Sequence, residues 1–392
     1  MRSAILAIPC LMSALVFGGC ATGLRADAGA VPLELPQAPE MVRVRILYTR
    51  APSRLDCQGS WRFGSKDGSK TYASNSSQRV RAMGGKMVIG QKSVRGEVIA
   101  MPDQPANSVT LNGRHYRGAL VFHPLAGGRY DVVEYVDVED YLYGVLPREV
   151  EPSWPAQSLK AQAVVSRTYA QHSKMTAKAE RFDVSNSVLD QVYGGQDVEA
   201  PETNHAVDDT RGEALVDSTG CPVQAFFHSS CGGHTELPQQ VWSASQVADV
   251  FEVVSDGKYC QDDPHYKWQL TLSYNTIRER LRHAGIRVRD IRSISVLRKS
   301  PSGRAEIFSL QTSRGKVEVW GNRFRLAMGP EALRSTFLTN MKAGKRTVYF
   351  EGHGWGHGVG LCQWGARGRA LAGQSYKDIL SAYYPKAKLS KL

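Results

Sequence analysis

The sequence predicts a mixed α+β fold: β-rich at its start, with one packed central helix and an inserted strand-and-helix unit. Three observations predict it. Short pieces of alternating apolar and polar residues, divided by turn residues, run from "VRVRILYT" to about residue 138. One long segment, "PAQSLKAQAVVSRTYA", repeats its apolar residues at helical spacing. Residues 266–349 then read as strands and helices of their own before a tail rich in Gly and His.

Taken in order, the chain opens with Arg2 and the apolar run "AILAIPCLMSALVFGGC", the pattern of an export signal over residues 1–20 and too short to span a membrane with ease. The small residues before Cys20 are similar to a bacterial lipoprotein processing site, with Phe17 where leucine is usual. Lipid on Cys20 is therefore expected, and with it a membrane anchor and a place in the cell envelope, facing the periplasm or cell wall. Residues 21–40, rich in Ala, Gly and Pro, read as a flexible tether. The β-rich region is expected over 41–135. Beyond it lies a main domain of 136–265 and 343–392, interrupted by the unit at 266–342.

Pro155 stands at the start of the long helix, where its missing N–H costs nothing. Ala156, Leu159, Ala163 and Ala170 form its expected buried stripe. Lys160, Val164, Arg167 and Gln171 form another face, with Lys160 and Arg167 two turns, or about 10 Å, apart. Just before this helix Glu149 lies in what reads as a Pro-flanked turn, where a carboxylate is by default solvated. Burial near aromatic rings would raise its pKa and suit it to donate a proton, whereas nearby Lys160 and Arg167 would lower it. Glu151 is a competing carboxylate that faces the other way if the segment is extended.

The formal charge of +12 points to an anionic partner, which for an exported protein is cell-wall polymer or membrane surface rather than nucleic acid. In the densest basic run, residues 277–299, Leu281, Ile286, Val288, Ile291 and Ile294 alternate with the charges. A helix and then a strand, each with a solvated basic face, explain it, and no aromatic residue is interleaved to stack bases.

After Cys20 the chain holds five cysteines, Cys57, Cys221, Cys231, Cys260 and Cys362, an odd number without C-x-x-C spacing. Neither a zinc ribbon nor a redox dithiol is indicated. The segment "AFFHSSCGGHTE" raises the possibility of a Cys231 or Ser229 nucleophile beside His228 or His234. A disulfide is the expected use of Cys231, with Cys260 as first-choice partner and Cys221 as second. In "GHGWGHGVG", His353 and His357 are four apart, but five glycines forbid the helix that would make this a metal-binding face. Two readings remain open: a backbone loop close to a ligand, with Trp355 and Trp364 beside it, or a packed turn with structural histidines.

Four segments, "YLYGVLPREVEPSWPAQSLKAQAVVSRTYA", "FDVSNSVLDQVYGG", "AFFHSSCGGHTE" and "GHGWGHGVGLCQWGARGRALAGQSYKDILSAYYP", together resemble the SpoIID/LytB family of bacterial cell-wall proteins, in the family's order. The resemblance covers roughly residues 136–390 and is weaker in the inserted unit. It implies a lytic transglycosylase that cleaves peptidoglycan glycan strands already stripped of stem peptides. The essential glutamate of the family falls on Glu149, and its site lysine and arginine on Lys160 and Arg167. Gln191, Tyr193, His228 and Ser229 fall on further motif positions expected to line the cleft, joined by His353, His357 and Trp364. Some members carry Cys, His and Cys before "QVYGG" with a zinc ion; here those positions are Ser185, Leu189 and Asp190, so neither metal nor other cofactor is expected. Cys362 stands where serine is more usual. The alternative function is a non-catalytic wall-binding or amidase-enhancing module, whose partner would be an N-acetylmuramoyl-L-alanine amidase.

Overall fold

A computed structural model describes residues 33, 35, 40–104, 107–177, 181–187, 190–242 and 249–392. Residues 1–20, Cys20 with its expected lipid, and nearly all of the tether lie outside the described residues. The fold is mixed α+β, and eight helices punctuate six sheets among the described residues. None of these helices is long and apolar enough to cross a membrane.

Two sheets build the first part. Strand Met41–Thr49 pairs antiparallel with Tyr130–Asp137 toward one end of a seven-stranded sheet, and its other side takes the short parallel edge strand Val184–Ser185. A six-stranded sheet packs with it, and Trp61, Phe63, Val80, Phe122 and Tyr130 are among the fully buried side chains between them. The alternation read from the sequence is the inward face of these strands.

Helix α1, Val138–Glu149, follows the last long strand without a break, with Asp137 as its N-cap. Helix α2, Ala156–Thr176, begins just after Pro155. It has no side-chain N-cap bond and no acidic residue in its first turn, so tertiary packing holds it. That packing comes from two sides. Ala163 and Ala170 join the core of the β-sheets, while Ala161, Val164 and Val165 join a second core with Val223, Ala225, Val359, Leu361 and Tyr383. The small alanines let neighbouring backbones approach closely. Two expectations are thereby corrected: Ala156 is exposed in the first turn, and Val164 and Arg167 belong to a buried face.

Helix α3, Pro201–Asp209, packs on α1 and α2. Residues 221–233 are mostly irregular; their two-residue strand Phe227–His228 pairs in parallel with Leu361–Cys362. Helix α4, Pro238–Val241, is a single turn. Helices α5, Tyr274–His283, and α6, Gly321–Met328, lie with two three-stranded sheets around a third core. Phe308 and Phe324 meet there at 4.4 Å between ring centroids. Within the basic run, α5 and strand Ser293–Lys299 are the expected helix and strand. Helices α7, Gln363–Leu371, and α8, Tyr376–Tyr383, close the second core.

Candidate active site

Glu149 is the last residue of α1, not part of a turn: the helix runs through Pro147, and Val150 N–H still donates to Leu146 O. The carboxyl is half-buried, and its Oε1 accepts from Val192 N–H at 3.0 Å. Burial pushes its pKa up from 4.5 to about 6, against the opposing pull of the Val192 N–H, the Gln363 amide and Arg148. The C-terminal end of a helix dipole also disfavours negative charge at this position. Val150, the next residue, forms a small apolar cluster with Leu159, Ala206 and Trp154. Trp154 meets Trp364 edge to face at 5.0 Å.

The "QVYGG" segment supplies the donor to Glu149 through its backbone. Gln191 and Tyr193 are buried, at 0 % and 3 % exposure, and Val192 between them turns the other way. Gln191 accepts from Tyr141 Oη–H and donates to Ser166 O, which ties the segment to α1 and α2. Tyr193 packs on Tyr141 at 5.1 Å, with the Glu134 carboxyl nearby. Gly144 makes this seat possible, since a Cβ there would stand 2.5 Å from the Tyr193 ring. Gln191 and Tyr193 therefore do not line a cleft, as expected of them, but hold Val192 in place.

The basic pair also departs from expectation. Arg167 is 1 % exposed and forms a two-pronged ion pair with Glu139, with further bonds to Val207 O and Glu213 O. It fastens α1, α2 and the end of α3 together and cannot touch a substrate. Lys160, partly exposed, pairs with Asp209 at 2.8 Å. Neither cation figures among the groups that bias the Glu149 proton.

From the tail, Gln363 and Trp364 reach the site at the start of α7. The Gln363 amide lies beside Glu149 and favours its charged form, while its buried Nε2 makes no full hydrogen bond. Trp364 N–H donates to Ser229 O at 3.0 Å, which brings Ser229 to the same corner. Val192 and Gln363 are the contributors that sequence reasoning missed. Only the alternation around Val192 carried any signal of it.

The Gly/His loop is a packed turn. Gly354, Gly356, Gly358 and Gly360 all have positive φ, and a Cβ on Gly360 would stand 2.0 Å from Phe226 O. His228, 5 % exposed, points its Nδ1 at Val359 O, leaving Nε2 buried without a partner. His357 Nδ1 accepts from Val359 N–H, and burial with Arg325 and Arg304 nearby pushes its pKa down to about 3. Both rings are neutral and structural. His353, part-buried, stacks on Tyr266 at 4.8 Å.

Cys231 is fully buried, and burial raises its thiol pKa. A sulfur sealed away from solvent cannot reach a substrate and is no nucleophile. Cys231 and Cys260 do meet, with Sγ atoms 3.6 Å apart, but as free thiols rather than the expected disulfide; Cys221 stands elsewhere. Cys362 joins them, so its replacement of serine has a structural setting after all. Ser185 and Asp190 hydrogen-bond one another; Leu189 lies outside the described residues.

Comparison with known proteins adds a second line. Residues 126–216 match the family described as stage II sporulation protein, and residues 224–360 match a domain of unknown function (DUF8618). An uncharacterized protein of Brachyspira hyodysenteriae is 32% identical over 88% of this chain and 91% of its own length. The amidase enhancer of Bacillus subtilis is 30% identical over 73% of this chain, which spans only 45% of that longer protein. Stage II sporulation protein D of Bacillus subtilis is 24% identical over 76% of this chain and 87% of its own length.

Proposed function

The chain belongs to the SpoIID/LytB family, and from that premise we propose that it is an exported, lipid-anchored peptidoglycan lytic transglycosylase acting on glycan strands stripped of stem peptides. One observation carries the reading: a half-buried carboxyl, Glu149, whose pKa of about 6 leaves both protonation states populated near neutral pH. As the acid, Glu149 protonates the glycosidic oxygen as its bond to the anomeric carbon breaks. As the carboxylate so formed, it takes the proton of the same sugar's primary hydroxyl, whose oxygen attacks the anomeric carbon and closes the anhydro ring.

A hydrolytic glycosidase needs a second carboxyl roughly 5 to 9.5 Å away to act as nucleophile or to activate water. The transglycosylase route requires only one, because the substrate brings its own nucleophile. The paired Trp154 and Trp364 rings, the latter next in the chain to Gln363, supply apolar surface suited to a sugar face.

The second reading, a wall-binding module that enhances an N-acetylmuramoyl-L-alanine amidase, draws support from the relative named amidase enhancer. The burial of Arg167, Gln191, Tyr193 and His228, which leaves few polar groups for chemistry, favours it too. Incubation of purified protein with amidase-treated sacculi separates the two. Release of anhydromuramic ends that disappears in Glu149→Gln supports the enzyme. Binding without release, together with stimulation of a purified amidase by both proteins, supports the module.

A further inference from the structure

Three cysteines distant in sequence converge on one carboxylate. Cys231 follows the strand Phe227–His228, Cys260 lies in the irregular segment before the third core, and Cys362 immediately precedes α7. Their sulfurs and an Asp256 oxygen all lie within 4.8 Å of one another, and all four residues are fully buried. We propose that Cys231, Cys260, Cys362 and Asp256 form a closed, structural zinc site. It is separate from the segment before "QVYGG" where some family members carry zinc.

The donor set and its spacing fit that ion. Three sulfurs and one oxygen suit zinc, which takes four ligands in a tetrahedron when its role is structural. Zinc–sulfur bonds of about 2.3 Å place two sulfurs on a tetrahedral edge of roughly 3.8 Å. Cys231 Sγ and Cys260 Sγ are 3.6 Å apart. Asp256 Oδ2 stands 3.3 Å from Cys231 Sγ, so the fourth ligand is already at the cluster.

The surroundings are those of thiolate sulfur rather than apolar thiol. Cys362 Sγ accepts from Cys231 N–H and Gly365 N–H, each at 3.2 Å, and Cys231 Sγ accepts from Gly233 N–H at 3.3 Å. Asp256 is oriented in turn: Arg369 donates to Oδ1 through Nε and Nη2, and Tyr383 Oη–H reaches both oxygens. An outer shell of this kind fixes ligand geometry, and the Arg369 charge offsets part of the negative charge of three thiolates and a carboxylate around one dication. The fit is tight: a Cβ on Gly365 would stand 2.2 Å from Asp256 Oδ2 and 2.1 Å from Tyr383 Oη. A disulfide would use two of the three sulfurs and leave the third thiol buried beside the carboxylate. A metal ion uses all four groups. Loading releases the thiol protons to solvent, so affinity falls with falling pH.

The consequence for the rest of the molecule is mechanical. The ion would clip the 228–234 segment and the 256–263 segment to the first residues of α7. Those residues are Gln363, beside Glu149, and Trp364, on Trp154. Any effect on glycan cleavage rests on the function proposed above, whereas metal binding does not.

Full-length protein purified without chelator is assayed for metal content, and its thiols are counted after denaturation with and without a reductant. The expected result is one zinc per chain and five reactive thiols in the processed region without reductant, with the zinc lost in Cys362→Ser and in Asp256→Asn but kept in Cys221→Ser. If the cysteine variants fail to fold, the wild-type protein exchanged with Co²⁺ gives the second readout, a sulfur-to-cobalt charge-transfer band of the intensity expected for three thiolates in a tetrahedral field. A Cys231–Cys260 disulfide in the protein as purified overturns the proposal, whatever the reduced protein binds. So does reduced protein that takes up neither Zn²⁺ nor Co²⁺.

Discussion

Replacing Glu149 with Gln tests the environment of the site independently of any substrate. Glutamine keeps the acceptor for Val192 N–H and nearly the same shape, but it cannot be charged. In the folded protein Glu149 holds its proton up to about 6, against 4.5 when free. The folded state therefore binds more protons than the unfolded state between those values, and the stability contributed by this group is present in full below pH 4.5 and lost as pH rises through 6. At 1.36 kcal/mol per pH unit, the loss is about 2 kcal/mol, an upper figure because the carboxyl keeps some contact with water. Glu149→Gln should thus gain about 2 kcal/mol relative to the wild type between pH 4 and pH 7, roughly a 30-fold change in the ratio of folded to unfolded protein. Urea unfolding of both proteins across this range, followed by tryptophan fluorescence, reads the difference, and every other titrating group cancels in it. A difference that stays flat with pH, or changes with the opposite sign, would refute a desolvated carboxyl and with it the case for Glu149 as a proton donor.

Removal of the buried Arg167 should be far more damaging than removal of the part-exposed Lys160 on the same helix. Arg167→Ala leaves Glu139 charged and unpaired inside the protein and should cost about 3–5 kcal/mol in unfolding free energy, whereas Lys160→Ala should cost less than about 1 kcal/mol. Equal losses would mean that Arg167 is not the fastening it is taken to be. In Gly144→Val, the new side chain meets the Tyr193 ring and Gly195 O, so the loop carrying Val192 must move. We expect about 1–3 kcal/mol of destabilisation and a Glu149 pKa that rises further as it loses the Val192 donor, read by NMR of the labelled carboxyl.

The fold class and the start of α2 at Pro155 are legible in the sequence because each has a local signature, whereas Glu149 is singled out there by the family resemblance and not by its own neighbourhood. What escapes is set by tertiary packing. Helical periodicity places Lys160, Val164 and Arg167 on one face but does not say what covers it. Wedged between two cores, α2 buries Val164 and Arg167, while Lys160 near its start and Gln171 toward its end stay part-exposed. Pro147 made the end of α1 read as a turn, although a proline in the last helical turn forfeits one hydrogen bond while the next, from Val150 to Leu146, still forms. The cysteine cluster was invisible for another reason. Its members are 29 and 102 residues apart along the chain, and short-spacing rules detect only ligands that share a turn.

The site is assembled from both sides of α2, and this has a kinetic consequence. Glu149 and Val192 belong to elements of the first core, while Gln363 and Trp364 arrive with α7 from the second. The raised pKa therefore depends on how the two cores meet, and Trp364→Ala loosens that meeting without touching the carboxyl. Water that replaces the indole relieves the desolvation and lets the Glu149 pKa fall from about 6 toward 4.5. At pH 7 the acid form would drop from about 9% to about 0.3% of the protein, roughly a 30-fold loss of the proton donor; at pH 5 it would drop only about fourfold. A Trp364→Ala enzyme should accordingly release anhydromuramic ends about 30-fold more slowly than wild type at pH 7 and recover most of that deficit at pH 5. A ring that merely holds the sugar would slow both pH values by the same factor, and that result would show that the tryptophan acts on the substrate and not on the proton.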